Sequence, residues 1–457
     1  MFYKNDNNKN NKKLIILFLL YLAIINLLFY IPFKIIYRNY CYFNPYDPTK
    51  KIITINEGKS AKIGIISDFQ LDVTKNYKDY ESNVYQALKY FKDNNIDIII
   101  MAGDITNDGK DINYSLFKQI LNSVYTPNDE PIILPLMGNH DYFDKDYAKI
   151  ENQKKFYNYM NSYPFYQAKI NNYNFIFWSN ENREHTDSIL EENEWIKSSL
   201  ENARQNLYRK GDPIFVISHM PPMLTMYGSE SIWGNQDVYD ILKDYPEVIS
   251  LAGHSHYSLR NIKSIWQREF TAINTQGLSY VDLDPYFINL QNVRNDSIKN
   301  DSMGLVAYLD TDKIIFERVE FSTREVMEEK WKIDFPIDKS KFEYTFEKRN
   351  KKIIPVFNDE NGIKIEKKNN NERTFIIFDS ASHPDYIYNY KILLKDKNKI
   401  IKEMYYYSDY YKNEKLRKNQ MVFELPNNLN KGKYDVEIYA SDSFNNTSKP
   451  KIGTIEI

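Results

Sequence analysis

One cysteine, Cys41, stands in a chain of 457 residues. That excludes an intrachain disulfide and any cysteine-based zinc site. Neither sign of charge is in excess: 60 Lys and Arg face 62 Asp and Glu, a formal net charge of −2. The chain therefore has no field that would draw a polyanion, and no nucleic-acid binding is expected. Glycine is scarce at 14 residues while tyrosine reaches 39. With abundant Lys, Asn and Ile, this is a compositional bias without functional weight. Histidine is scarcer still, at six. Apolar residues at 42% and charged residues at 27% are ordinary globular values. They exclude a wholly disordered chain and a polytopic membrane protein, and at ~150 residues per domain the length allows two or three folded units.

One long hydrophobic run stands out. Residues 14–33 carry no charge over twenty positions, which at ~1.5 Å per residue spans roughly 30 Å, the hydrocarbon thickness of a bilayer. Leu, Ile and Phe occupy every face, and Ile35-Ile36-Tyr37-Arg38 follows instead of a small-residue cleavage site. This predicts an uncleaved transmembrane signal anchor. Lys4, Lys9, Lys12 and Lys13 crowd the head, residues 1–13, so the positive-inside rule places the head in the cytoplasm and the rest outside, in a single-pass protein of the cell membrane. Cys41 lacks the small-residue context of a lipid-modified cysteine and reads as a juxtamembrane thiol. Residues 34–60, aperiodic and bearing Pro and Lys, read as a linker.

Folded structure is expected from residue 61 to 335. Short Ile- and Val-rich runs end repeatedly in polar clusters. Lys62 to Ile66 precede Ser67-Asp68, Ile98 to Met101 precede Ala102-Gly103-Asp104, and Ile132 to Met137 precede Gly138-Asn139-His140-Asp141. Later, Ile214 to Ile217 precede Ser218-His219, and Val248 to Leu251 precede Ala252-Gly253-His254-Ser255-His256. Helix-like stretches such as Tyr80 to Asn94 and Glu191 to Arg209 lie between them, so the order is strand, loop, helix, strand. The pattern predicts an α/β fold that delivers polar residues at the carboxyl ends of its strands. Four of the six histidines, His140, His219, His254 and His256, fall at such ends beside Asp68, Asp104 and Asn139. Imidazole, carboxylate and amide donors suit borderline divalent or trivalent ions such as Mn, Fe, Zn or Co. The donors exceed what one structural zinc needs, and two ions sharing a carboxylate is the simplest arrangement.

The motifs Asp68-Phe69-Gln70, Gly103-Asp104, Gly138-Asn139-His140-Asp141, His219 and Gly253-His254-Ser255-His256, in this order at spacings of about 35 to 80 residues, resemble those of the calcineurin-like metallophosphoesterase superfamily. The resemblance covers about Lys62 to Val319. It implies a two-sheet α/β sandwich and a metal-dependent phosphoester hydrolase with a dinuclear centre and a metal-bridging hydroxide. It further implies that Asp68 and His256 hold one ion, that Asn139, His219 and His254 hold the other, and that Asp104 bridges both. His140 would face the substrate as acid or hydrogen-bond donor, and Asp141 would orient His140 or the loop. A phosphate-ester small molecule or cell-surface substrate is implied as the partner.

Where the superfamily usually has histidine this chain has Gln70, a neutral amide donor that favours oxygen-loving Mn²⁺ at the first site. A related branch, the Mn-dependent ADP-ribose and CDP-alcohol diphosphatases, looks similar at this place. A nucleotide diphosphate pyrophosphatase is therefore the first alternative, and a surface binding protein with a vestigial phosphoesterase domain is the second. Asn107-Asp108-Gly109 reads as a turn after the metal loop, while His185 and His383 read as capping or turn residues. Residues 336–361 read as a connecting segment. From Ile363 onward seven strand-like runs, separated by Asn, Asp, Gly and Pro, predict an all-β sandwich of the immunoglobulin or fibronectin-III kind over residues 362–457.

Overall fold

The computed structural model describes residues 50–53, 60–75, 78–145, 149–179, 186–230, 232–283, 302–358, 362–368 and 373–457. The expected membrane anchor at residues 14–33, Cys41 and His185 lie outside the described residues. Among the described residues no helix is long and apolar enough to cross a membrane.

Strand β1 (Lys50–Ile53) lies in the stretch expected to be linker. After it come β2 (Ala61–Ile66), α1 (Lys78–Asp93), β3 (Ile98–Ala102), α2 (Asp111–Val124), β4 (Ile132–Leu136), α3 (Lys149–Met160), β5 (Phe165–Ile170) and β6 (Tyr173–Trp178). Then follow α4 (Thr186–Gln205), β7 (Ile214–Ser218), α5 (Gln236–Leu242), β8 (Val248–Ala252), β9 (Ile265–Gln267), β10 (Thr271–Asn274), β11 (Met303–Leu309), β12 (Lys313–Glu320), β13 (Glu325–Val326) and β14 (Trp331–Asp334). Two sheets result. One runs β1-β5-β6-β7-β8-β10-β9, and the other β13-β12-β11-β2-β3-β4 with β14 beside β12.

The segment expected as linker is corrected at its end: β1 pairs in parallel with β5, Lys50 opposite Gln167 through Ile53 opposite Ile170. Its alternation is too brief to register as a strand in isolation, and the open edge of β5 is what orders it. The pairs β2–β3–β4 and β6–β7–β8 are parallel, which requires crossover helices and buries both faces. Hence β3, β7 and β8 are buried at every residue and apolar except at Ser218 and Ser250. Alternate side chains divide between two cores. Ile98 and Ile100 meet Phe175, Phe215 and Leu251 between the sheets, where Phe175 stacks on Phe215 with ring centres 4.3 Å apart. Ile99 and Met101 face Leu88, Phe91, Phe117 and Leu121 of α1 and α2. Helix α1 starts with Asp79 and Glu81 and ends with Lys92, matching the helix dipole.

Residues Lys339 to Tyr344 are pinned to the first sheet, since the Gln267 amide oxygen accepts from the N–H groups of Glu343 and Tyr344, both at 2.9 Å. A four-residue helix, α6 (Phe346–Arg349), leads on to a unit of antiparallel sheets. These are formed by β15 (Lys364–Lys368), β16 (Arg373–Asp379), β17 (Asn389–Asp396), β18 (Lys399–Tyr407), β19 (Gln420–Glu424), β20 (Lys433–Ser441) and β21 (Lys451–Glu456). One sheet is β15-β16-β19 and the other β18-β17-β20-β21. Their shared core includes Ile376, Phe378, Tyr390, Ile392, Leu394, Val436 and Ile438.

Candidate metal centre

Loops leaving β2, β3, β4, β7 and β8 converge at one end of the two sheets. Asp68 follows β2, Asp104 follows β3, Asn139 and His140 follow β4, His219 follows β7, and His254 and His256 follow β8. Asp68, Asp104 and His219 are buried and bring one oxygen or nitrogen each within 4.8 Å of one another. His219 Nε2 lies 3.3 Å from Asp104 Oδ2 and 3.8 Å from Asp68 Oδ1. His256 Nε2 lies 3.2 Å from Asp68 Oδ1 on one side, and Gln70 Nε2 lies 3.3 Å from that same imidazole nitrogen. On the other side Asn139 Oδ1 is 3.1 Å from His219 Nε2 and 3.0 Å from His254 Nδ1, and the two imidazole nitrogens are 3.2 Å apart. His140 Nε2 stands 3.9 Å from Asp104 Oδ2.

The rings are oriented from outside the cluster. His219 Nδ1–H donates to the Ala102 carbonyl at 2.8 Å, which leaves the Nε2 lone pair facing the carboxylates, as a metal-binding imidazole needs. His140 Nδ1–H likewise donates to the Asn107 carbonyl at 2.8 Å. Ser67 Oγ donates to Asp68 Oδ2 at 2.5 Å, and the His254 N–H donates to the same oxygen at 3.1 Å. The His140 N–H donates to Asp104 Oδ1 at 2.8 Å. Burial works against ionisation of Asp68, but His256 and then His219 outweigh it and hold the carboxyl below its ordinary range. Asp104 is held low against burial by His219 and His140. The cluster therefore keeps two carboxylates charged in a buried place.

Backbone strain is concentrated here. Asp68, Gln70, Asp104, His254 and His256 all have left-handed φ values, 54°, 45°, 53°, 71° and 58°, a conformation that costs a non-glycine residue about 1–3 kcal/mol. Close packing holds them in it. A Cβ on Gly103, at φ 98°, would sit 2.4 Å from His219 Nδ1. One on Gly253 would sit 2.4 Å from Asp68 Oδ2.

Of the two roles expected of Asp141, orienting His140 or orienting the loop, its contacts match the second. Its carboxylate is enclosed, accepting from the N–H groups of Gly138, Ile105 and Thr106 at 3.1, 3.2 and 3.1 Å. Thr106 Oγ1 at 2.9 Å and the Tyr114 hydroxyl at 3.0 Å complete the shell. Burial and then the Asp104 charge push its carboxyl up to about 6. It ties the β3 loop to the β4 loop, because two adjoining loops leave backbone donors that a buried acceptor must satisfy. The group orienting His140 is the Asn107 carbonyl instead.

Other contributors carry little sequence signal. A carbonyl such as that of Ala102 or Asn107 has none. Ser67 could have been found, since it directly precedes Asp68 at the end of a strand. Three rings pack on three different histidines: Phe143 on His140 at 4.6 Å, Trp233 on His254 at 5.5 Å and Tyr280 on His256 at 4.1 Å between centres. His383 is a turn residue, accepting from the Asp385 N–H at 3.2 Å.

Residues 61–258 match the family model described as calcineurin-like phosphoesterase, and this segment is a domain of that family. No curated protein matches the sequence. Among solved structures the chain is similar to GAP50, the anchor in the inner membrane complex of Plasmodium, at 17% identity and TM-score 0.46, covering 62% of this chain and 92% of that one. It is similar to a dimetal phosphatase from Danio rerio at 13% identity and TM-score 0.40, covering 61% and 99%. A purple acid phosphatase from yellow lupin seeds is similar at 13% identity and TM-score 0.43, covering 61% of this chain and 54% of that one.

Proposed function

We propose that this domain is a phosphoester hydrolase working with two metal ions. The observation that carries the reading is the strained cluster itself, in which two charged carboxylates, three imidazole nitrogens and an amide oxygen face one another. Asp68, Gln70 and His256 would hold one ion, Asn139, His219 and His254 the other, and Asp104 both. The donor set fits such ions: two buried carboxylates face the imidazole nitrogens, and the Ala102 carbonyl engages Nδ1 of His219 so that Nε2 is turned to the cluster. Ions so held would supply an acidified water and positive charge for the phosphoryl oxygens, with manganese favoured by Gln70 and iron or zinc also suited. His140 has one nitrogen fixed by the Asn107 carbonyl and the other turned to the cluster. It is placed to protonate a departing oxygen.

The test is hydrolysis by the full chain, with Mn²⁺ added, of a chromogenic phosphomonoester, a diester and a nucleoside diphosphate. Turnover that a chelator abolishes supports the reading, and bound metal without turnover on any of the three overturns it. Gln70, 3.3 Å from His256, favours the pyrophosphatase as the second reading, for which only the nucleoside diphosphate would turn over.

Two further proposals concern the ends of the molecule. The uncharged run at residues 14–33 supports a single membrane span with both folded units outside the cell, so protease added to intact cells should remove them. The strand order β15-β16-β19 against β18-β17-β20-β21 supports a fibronectin-III-like sandwich for the last unit.

A further inference from the structure

The C-terminal unit reaches the candidate metal centre through tyrosines. Tyr227, in the loop after β7, is buried and its hydroxyl meets that of Tyr410 at 2.7 Å and that of Tyr388 at 3.2 Å. Tyr257, which follows His256, packs on Tyr227 with ring centres 4.8 Å apart, and Tyr407 and Tyr411 join the same buried cluster. Trp233 packs against this cluster and presents its ring to His254. The contact is secured beside it, since the Tyr227 N–H donates to the Lys263 carbonyl at 2.8 Å and the Ile262 N–H donates to the Tyr386 hydroxyl at 3.0 Å.

We propose that Tyr227, Tyr388 and Tyr410 are positioning residues, by which the C-terminal unit holds the loop after β7 and, through Trp233, fixes where His254 stands. As far as it concerns metal uptake, this rests on the two-metal reading. It goes beyond that reading in making the last unit a structural part of the site. The feature has no local signal in the sequence, because Tyr227 is 161 and 183 residues from its two partners and the three are among 39 tyrosines in the chain.

The experiment is amide hydrogen exchange of the metal-free full chain together with its affinity for Mn²⁺ alone. Tyr410→Phe should speed exchange of residues 221–230 about fivefold, the effect of losing one buried neutral hydrogen bond, and Tyr227→Phe, which also loses the bond to Tyr388, should speed it further. The double variant should do no more than Tyr227→Phe alone, which has already removed the bond to Tyr410. Peptides from β20 should be unchanged, as should every reading for Tyr439→Phe. Trp233→Ala should weaken Mn²⁺ binding about fivefold, and Trp233→Phe, which keeps an aromatic face, should restore it. Unchanged exchange of 221–230 in both tyrosine variants overturns the proposal. So does an equal rise in β20, which marks general loosening, and so does Mn²⁺ affinity indifferent to Trp233→Ala. Exchange is read without metal, so a wild-type chain that takes up no Mn²⁺ overturns the two-metal reading while the response of the loop still decides this one.

Discussion

Left-handed backbone closes hairpins in both folded units, and in the phosphoesterase domain it also runs through the candidate metal cluster. In the C-terminal unit it falls on Asn445 and on Lys397 and Asn398, the last two at φ 47° and 69° in the two-residue turn between β17 and β18. A tight hairpin whose twist matches its strands calls for this conformation. In the phosphoesterase domain it serves the same use at Asn171, φ 53°, in the turn between β5 and β6, but it also falls on Asp68, Gln70, Asp104, His254 and His256, none of which closes a hairpin. The same dihedral is thus turn chemistry at the hairpins and stored strain at the loops of the cluster. Strain of the second kind persists only where the surroundings over-determine it, as the Gly103 and Gly253 contacts do here.

Substitutions can break or sharpen that contrast. The largest expected effect is from Asp104→Asn, which removes the carboxylate shared by both proposed ions: phosphoester turnover should vanish while the thermal unfolding midpoint stays within a few degrees. A large fall in the midpoint would instead make Asp104 a structural residue. His140→Ala should lower turnover by ~10²–10⁴-fold with metal content intact, the range general acid catalysis supplies. Elemental analysis of the purified variant checks this, and lost metal would assign His140 to the ion shell. Gln70→His should tighten the first site about tenfold, within the range over which such partners tune metal affinity, and shift its preference from Mn²⁺ towards Zn²⁺. Equal titration curves would remove Gln70 from the donor set. Smallest in function is Ile438→Val in the sandwich core, fully buried on β20. It should cost about 1 kcal/mol of stability by denaturant titration and leave Mn²⁺ affinity unchanged.

The α/β alternation and the site were legible because parallel strands buried on both faces leave continuous apolar runs, with the chemistry written just after each. The run from Ile98 to Met101 ending at Asp104 is the clearest instance. All seven sandwich strands were legible for the opposite reason, since period-2 patterns and local turn residues mark them without long-range help. Helices α2 and α3 were not named from sequence, although Phe117, Ile120, Leu121 and Val124 recur at helical spacing on the buried face of α2. In α3 the buried face carries Asn152, Gln153 and Lys155, which blur its period. The enclosure of Asp141 was hidden because its partners are backbone N–H groups, which look alike in every sequence. The tyrosine contact between the units was hidden by distance along the chain.

The parallel pairing of β1 with β5 bears on handling the protein as well as on its fold. Phe165–Ile170 has β6 on one side and only the four residues Lys50–Ile53 on the other. An expression fragment begun at Ala61, where the family match starts, would strip that cover and leave a row of unpaired N–H and C=O groups on a six-residue strand. Such an edge templates pairing with another chain. A fragment begun a few residues before Lys50 keeps it sealed, so the two should differ in how readily they self-associate although every residue of the metal cluster is present in both.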